Sequence, residues 1–346
     1  MRILFVTNGY PTEKHPEFCV FNQEQIESIT ATGIQGEVLF INAHEKGVKE
    51  YLVGIREIRR RSARFDLIHC FHGLSFLAVK LARVRAPIVV SMLNSVDNEY
   101  RELPRPFARL LSQITSRLLN SNRVGKIFKD RVPSNLSTDD LARHIPNGVN
   151  MELFSPIDRQ RAIESLRLNP RARYLLFVSS KSRQRAQKRY DRFQMVLDRL
   201  RNSAEFSDVR ELVLERTSRE KVPLHFAASE LHLLTSDFEG SPNSVKESVA
   251  CGVPVVAADV GNIRDMLSHI PACAVVAPDD VDAYVAEVRR ILASKIDRFE
   301  YAELVRDKLR SLGLDQRSTA QRVANLYECV LRANKARTRK LVEERS

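Results

Sequence analysis

Short apolar runs alternate with amphipathic stretches along the first half of the chain. Residues 2–7 (RILFVT), 37–41, 66–69 and 87–92 are rich in β-branched residues and lack polar alternation. That is the pattern of strands buried on both faces of a sheet. Between them, apolar residues recur at helical spacing over 22–32, 47–61, 74–83 and 107–119. Strand, helix, strand at this rhythm predicts a doubly wound parallel sheet, an α/β fold. The second half repeats the pattern. Strands are expected at 174–179, 211–214, 231–235, 254–257 and 274–277, and helices at 189–201, 243–251 and 281–293. A last amphipathic stretch, 319–333, carries Val323, Leu326, Tyr327, Val330 and Leu331, and the charged residues 335–346 are expected to fray.

Two sheets imply two domains, which suits 346 residues at roughly 100–200 per domain. A Pro146-Asn147-Gly148 turn and the run Phe154-Ser155-Pro156 place the boundary near 155. The expected units are 1–155, 156–318 and a terminal helix with its tail, 319–346. Ligands of open parallel sheets bind outside the carboxyl ends of the strands, so the loops there should carry the chemistry.

The segment Leu231–Gly261 is the most informative of these. A strand ends near Thr235, and a loop brings Asp237, Glu239 and Gly240-Ser241-Pro242. A helix then starts near Asn243, Gly252 caps its end, and Pro254 opens the next strand. The helix start offers unpaired N–H groups and a positive dipole end, a site for a diphosphate. Glu239 stands just before the helix and Glu247 about one turn inside it. Carboxylates accept hydrogen bonds from vicinal hydroxyls, so one can hold a hexose and the other a ribose, with phosphates between. A basic loop follows the first strand of the second half: Ser179-Ser180-Lys181-Ser182-Arg183-Gln184-Arg185-Ala186-Gln187-Lys188-Arg189. Arginine and lysine there suit a diphosphate.

Composition narrows the rest. With 43% hydrophobic residues the chain can fill two cores, which argues against disorder. A net charge of +12 suits phosphate ligands, nucleic acid or an anionic membrane face. No basic recognition helix or aromatic-basic motif supports nucleic acid. Cys19, Cys70, Cys251, Cys273 and Cys329 are widely spaced and form no zinc pattern, and no D-x-D pair suggests another metal. The apolar run at the N-terminus is short for a secretion signal, and no stretch approaches ~20 apolar residues. A cytoplasmic protein is expected. Arg101, Arg105, Arg109, Arg117, Arg123, Lys126, Lys129 and Arg131 oppose only Glu102 and Asp130. Among them lies the apolar stripe Phe107, Leu110, Leu111, Ile114 and Leu118. It reads first as a core-facing helix with snorkelling arginines, and second as a peripheral contact with anionic membrane.

The pair Glu239 and Glu247, set within strand–EGSPN–helix–CGVPVV, resembles the E-x7-E motif of the family-four retaining glycosyltransferases. Val260-Gly261, His144-Ile145-Pro146-Asn147-Gly148-Val149-Asn150, Asn8-Gly9-Tyr10-Pro11 and His15-Pro16-Glu17-Phe18 with Gln25 are similar to that family too. The resemblance implies a GT-B fold, two Rossmann-like domains facing across a cleft, the first on the acceptor side and the second binding a UDP- or GDP-sugar. It implies transfer to a glycan, lipid-linked or other hydroxyl acceptor with retention, in cell-surface polysaccharide or glycoconjugate synthesis. Neither cofactor nor metal is implied. It assigns catalysis to Glu239, Lys188 and Arg183, and donor binding to Glu247, Gly240, Ser241, Pro242, Asn243, Ser244 and Arg185. Either Arg183 or Arg185 fits the family's arginine. The acceptor-side candidates are Cys19, His72, Asn94 and Asp97. Four positions depart from the pattern. Cys19 and Ser179 stand where glycine is usual, Phe71-His72 inverts a His–aromatic pair, and Asn94 lies in a changed loop. They motivate the rival expectation of a nucleotide-sugar-binding protein without turnover.

Overall fold

A computed structural model of the chain describes residues 1–343, apart from Asp97, Glu102, Asn122, Ser137, Ser180 and Lys181 and the side chains of Lys340, Leu341 and Val342. The chain divides into two compact units. The first comprises Met1–Thr12, Cys19–Asn147 and Arg317–Ser346, the second Glu13–Phe18 and Gly148–Gln316. The divisions thus fall at 147/148 and 316/317, against the 155/156 and 318/319 expected from turn chemistry.

The first unit is built from β1 (Arg2–Thr7), α1 (Val20–Thr30), β2 (Gln35–Phe40), α2 (Ala43–Lys46), α3 (Glu50–Arg61), β3 (Leu67–Phe71), α4 (Gly73–Leu81), β4 (Ile88–Met92), α5 (Arg105–Leu119), β5 (Val124–Phe128) and β6 (Ala142–His144). The strands form one parallel sheet in the order β2-β1-β3-β4-β5-β6. Strands β3, β4 and β5 are buried at every position, which is why their runs lack alternation. Strand β5 was hidden in the sequence because Gly125 and Lys126 interrupt its apolar run. Lys126 is fully buried and paired with Asp139.

The second unit holds α6 (Arg159–Ser165), β7 (Arg173–Val178), α7 (Tyr190–Arg201), β8 (Val209–Leu214), α8 (Val222–Ala228), β9 (Leu231–Leu234), α9 (Asn243–Ala250), β10 (Val255–Ala258), α10 (Ile263–Leu267), β11 (Ala274–Val276), α11 (Val281–Ala293) and α12 (Arg298–Ser311). Its parallel sheet runs β11-β10-β9-β7-β8. Helices α6, α8, α10 and α12 add to those expected. Asp158, Asp280 and Asp297 cap α6, α11 and α12 by accepting first-turn N–H bonds. Helix α13 (Gln316–Glu343) returns the chain to the first unit.

In the first unit, α1 and α13 cover one face of the sheet through Ile26, Ile29, Val323, Tyr327 and Val330. Helices α3, α4 and α5 cover the other through Ile58, Phe76, Val79 and Leu119. Right-handed crossovers account for the division, since the chain moves one way from β1 to β2 and the other way from β2 onward. The core-facing reading of α5 fails over its first half. Thr115 and Leu119 are its buried positions, whereas Phe107 is 62% and Leu110 52% exposed. Strand order reverses between β1 and β3 in the first sheet and between β7 and β9 in the second. These switch points are where α/β sheets open for ligands.

Candidate active site

At the switch point of the second unit, the loops after β7 and β9 are stitched together. Asp237 donates its backbone N–H to the Gln187 carbonyl at 2.9 Å. Gln187 donates its Nε2 to the Phe238 carbonyl at 2.7 Å. Thr235 Oγ1 donates to the Lys188 and Arg189 carbonyls, 3.0 Å each. Buried Arg192 donates to the Thr235 carbonyl at 2.6 Å and to Asp237 at 3.2 Å. On this frame Lys188 Nζ meets Glu239 Oε1 at 2.7 Å, and Ser236 Oγ donates to the same oxygen at 2.8 Å. Glu239 Oε2 accepts from no described residue.

The turn after β10 backs this loop. Gly261 has φ +59°, and a Cβ there would lie 2.3 Å from the Gly240 carbonyl oxygen and 2.6 Å from that of Glu239. Only glycine permits both that dihedral and that approach. Asn262 donates its N–H to the Gly240 carbonyl at 3.2 Å. Pro242 is the N-cap of α9, one place earlier than a first-turn proline, and supplies no capping side chain. The first turn of α9 therefore lacks the oxygen that usually caps such N–H groups. Gly252, at φ +76°, closes the other end of α9.

Two further pairs flank the loop. Lys246, fully buried in α9, donates Nζ to Ser241 Oγ at 2.9 Å. Burial pushes its ammonium down to about 7, opposed by the charge of Glu247. Glu247, also buried, accepts from Arg219 Nη2 at 2.7 Å, and that guanidinium lies 4.5 Å over the Phe154 ring. Beneath Ser244, His232 Nδ1 donates to the Leu176 carbonyl at 3.1 Å, so Nε2 accepts from Ser244 Oγ at 3.1 Å. Burial lowers the imidazole to about 4, which keeps it neutral and fixes this tautomer.

The fold thus brings together Lys188 with Glu239, Ser241 with Lys246, and Glu247 with Arg219. Arg183 stands apart. Its backbone N–H goes to Glu215 at 2.8 Å, its guanidinium lies 5.6 Å over Tyr190, and it bonds neither glutamate. Arg185 donates to Gln187 at 2.9 Å. Asn243 Oδ1 is buried without a hydrogen-bond partner among the described residues. Sequence reasoning missed Arg219, Ser236, His232 and Lys246. Arg219 had a usable signal, since Ser218-Arg219-Glu220-Lys221 is a second basic loop after a strand.

In the first unit the acceptor-side candidates have local duties. Cys19, at φ 53° and ψ 36°, is the N-cap of α1 in the left-handed region. That conformation is a backbone reason for glycine at such a position. His72 caps α4: Nδ1 accepts the Leu74 N–H at 3.1 Å, and Nε2 donates to the Glu99 carbonyl at 3.1 Å. Its ring nitrogens are spent on structure. The Glu99 carboxylate, also buried, accepts from the N–H groups of Gly73 at 3.0 Å and Asn94 at 2.9 Å. It fills the anion position at the start of α4. Asp97 lies outside the described residues. No group of three or more metal-ligating side chains occurs among the described residues, and no described helix is long and apolar enough to cross a membrane.

Residues 163–294 match the family model described as glycosyl transferases group 1. The D-inositol 3-phosphate glycosyltransferase of Nocardiopsis dassonvillei is 26% identical over 308 residues, covering 74% of this chain and 69% of that protein. Among solved structures, the sucrose-phosphate synthase of Thermosynechococcus elongatus superposes with a TM-score of 0.71 at 16% identity, covering 96% of this chain and all of that one. Anabaena HepE in complex with UDP and glucose gives 0.68 at 16% identity over 95% of this chain and 99% of that one. Two parallel α/β sheets and these likenesses define a GT-B protein. More particularly, residues 163–294 carry the pattern of the glycosyl transferases group 1.

Proposed function

We propose that the chain is a retaining glycosyltransferase that takes a sugar from a UDP- or GDP-linked donor to a hydroxyl of a glycan or lipid-linked acceptor. The observation that carries this is the Lys188–Glu239 pair at the β7/β9 switch point, beside the start of α9, with Glu247 one turn further on. The donor diphosphate would lie against the first-turn amides of α9 and Lys188, with Arg183 or Arg185 joining from the basic loop. Gly240, Ser241, Pro242, Asn243 and Ser244 line that approach. Glu239 and Glu247 would accept hydroxyls of the sugar and ribose. Anabaena HepE has been solved with UDP-glucose, a donor of the kind proposed.

In the reaction, the acceptor oxygen bonds to the anomeric carbon on the face from which the diphosphate leaves. The carbon–oxygen bond to the diphosphate breaks, and the acceptor proton passes to a donor phosphate oxygen. The protein supplies position and charge, with no step assigned to a metal or cofactor. The cell-surface glycoconjugate role, a cytoplasmic location and peripheral membrane contact complete the reading.

Donor binding and sugar transfer across a panel of UDP- and GDP-sugars test it. One donor should bind and turn over, and Glu247→Ala should weaken it by at least about tenfold, the loss of a charged hydrogen-bond acceptor. Unchanged affinity in that variant refutes the reading. Donor binding without transfer or hydrolysis would instead support a turnover-deficient binding protein, a reading to which the structural engagement of His72 and Glu99 lends weight.

A further inference from the structure

The arginine-rich helix α5 leaves the first half of its apolar stripe off the sheet, while Leu118 near its end packs on the core. Thr115 and Leu119 face the core, and Phe107, Leu110 and Ile114 lie about a third of a turn away at ~100° per residue. Phe107 and Leu110 are exposed, and around them stand exposed Arg105, Arg109 and Arg117. The helix contains no acidic residue, and these three arginines form no ion pair with any described residue. A second group sits on the same face of the sheet. Val48 is 79% exposed at the entry to α3, and Leu52 and Val53 are exposed in its first turn. Lys46, Lys49 and Arg56 stand beside them, exposed. Helices α3 and α5 follow the carboxyl ends of β2 and β4 on this face, with α4 packed against α3, so both groups lie towards the carboxyl edge of the sheet. Tyr51, next to Leu52, accepts a hydrogen bond from Asn8 at the β1/β3 switch point, 3.0 Å.

We infer that this edge of the first unit docks on an anionic phospholipid bilayer. Phe107, Leu110, Leu52 and Val53 would enter the headgroup region while the arginines and lysines meet lipid phosphates. Bulky apolar side chains set among unpaired cations are the composition of an interfacial helix. A protein partner of mixed charge would call for acidic residues as well, and α5 offers none. Docking here would bring the loops after β1 and β3 to the membrane surface, where a lipid-linked hydroxyl is displayed. The inference rests on the membrane contact in the proposed function. Vesicle binding is measured with no sugar present, so its failure leaves donor binding and transfer to stand or fall separately.

The test is co-sedimentation of the full chain with vesicles of phosphatidylcholine alone and of phosphatidylcholine mixed with phosphatidylglycerol. Binding to the mixed vesicles should exceed binding to the neutral ones and fall as salt rises. Phe107→Ser/Leu110→Ser and Arg105→Glu/Arg109→Glu should each weaken it by about tenfold or more. All four positions are exposed, so both variants should keep the wild-type melting temperature, which is checked alongside. Equal binding to both vesicle types, or variants that bind like wild type, overturns the inference. So does a concentration-dependent dimer in lipid-free sedimentation that Phe107→Ser/Leu110→Ser dissolves, since that assigns the face to a second copy.

Discussion

Lys246→Met separates stability from function at one residue. The lysine is fully buried, and burial lowers it from an ordinary 10.5 to about 7. A lysine depressed in this way costs the fold most where both states are charged, below about 7. The cost lifts as pH rises towards 10.5, because the unfolded chain then holds a proton that the folded chain has released. At ~1.4 kcal/mol per pH unit, the gap corresponds to a ceiling of roughly 5 kcal/mol. The ammonium's bond to Ser241 gives back about 2 kcal/mol. Methionine fills similar volume without the charge. The variant should therefore be more stable at pH 6 by on the order of 3 kcal/mol, and the advantage should disappear by about pH 10. Urea unfolding at pH 6, 8 and 10 measures this. Donor affinity should move the other way, falling about tenfold as Ser241 loses its tether. A stability difference that does not change with pH would refute the argument, as would a lysine carbon resonance that titrates near 10.5.

Two other substitutions probe the frame. Gly261→Ala forces a side chain to φ +59° and into the Glu239 and Gly240 carbonyls, so it should cost about 2–3 kcal/mol in urea unfolding and weaken donor binding with it; an unchanged midpoint would show that the backing contact is dispensable. Glu99→Ala strips the acceptor from the N–H groups of Gly73 and Asn94, and should lower first-unit stability by about 2–4 kcal/mol, with partial recovery in Glu99→Gln, followed by thermal melting; a melting temperature within error of wild type would refute the role given to that carboxylate.

The strands that showed in the sequence were those whose runs are unbroken, such as β1 and β4, because burial on both faces leaves no polar position to blur them. Strand β5 escaped because its buried charge, Lys126, is satisfied by Asp139 thirteen residues on, a compensation that no local window contains. The same limit governs the site. Glu239 and the helix after it were legible because strand, turn and helix lie within one short segment. Their cations were less so: Lys188 is 51 residues from Glu239, and Arg219 is 28 from Glu247. Adjacency of β7 and β9 makes the first pair, and only the sheet order reveals it. Periodicity also located the stripe on α5 but not its direction. A period of 3.6 says that apolar residues share a side, and it is silent on whether the sheet lies there.

The ion pairs sharpen what donor binding must involve. The sequence suggested cations waiting for a diphosphate and carboxylates waiting for hydroxyls. In the structure, Lys188 is already balanced by Glu239 and Arg219 by Glu247. A diphosphate with two negative charges therefore meets a site whose nearest cations are spoken for. On the proposed reading, the compensating charge comes from the uncapped first turn of α9 and from an arginine of the 179–189 loop. Arg183 touches Glu215 and Tyr190 at an exposed position, where solvent screens such contacts. Its transfer to a phosphate would exchange a screened pair for a charge-assisted one. Donor affinity should then depend on Arg183 more steeply than its resting contacts suggest, while Lys188 meets the diphosphate with its charge already shared with Glu239.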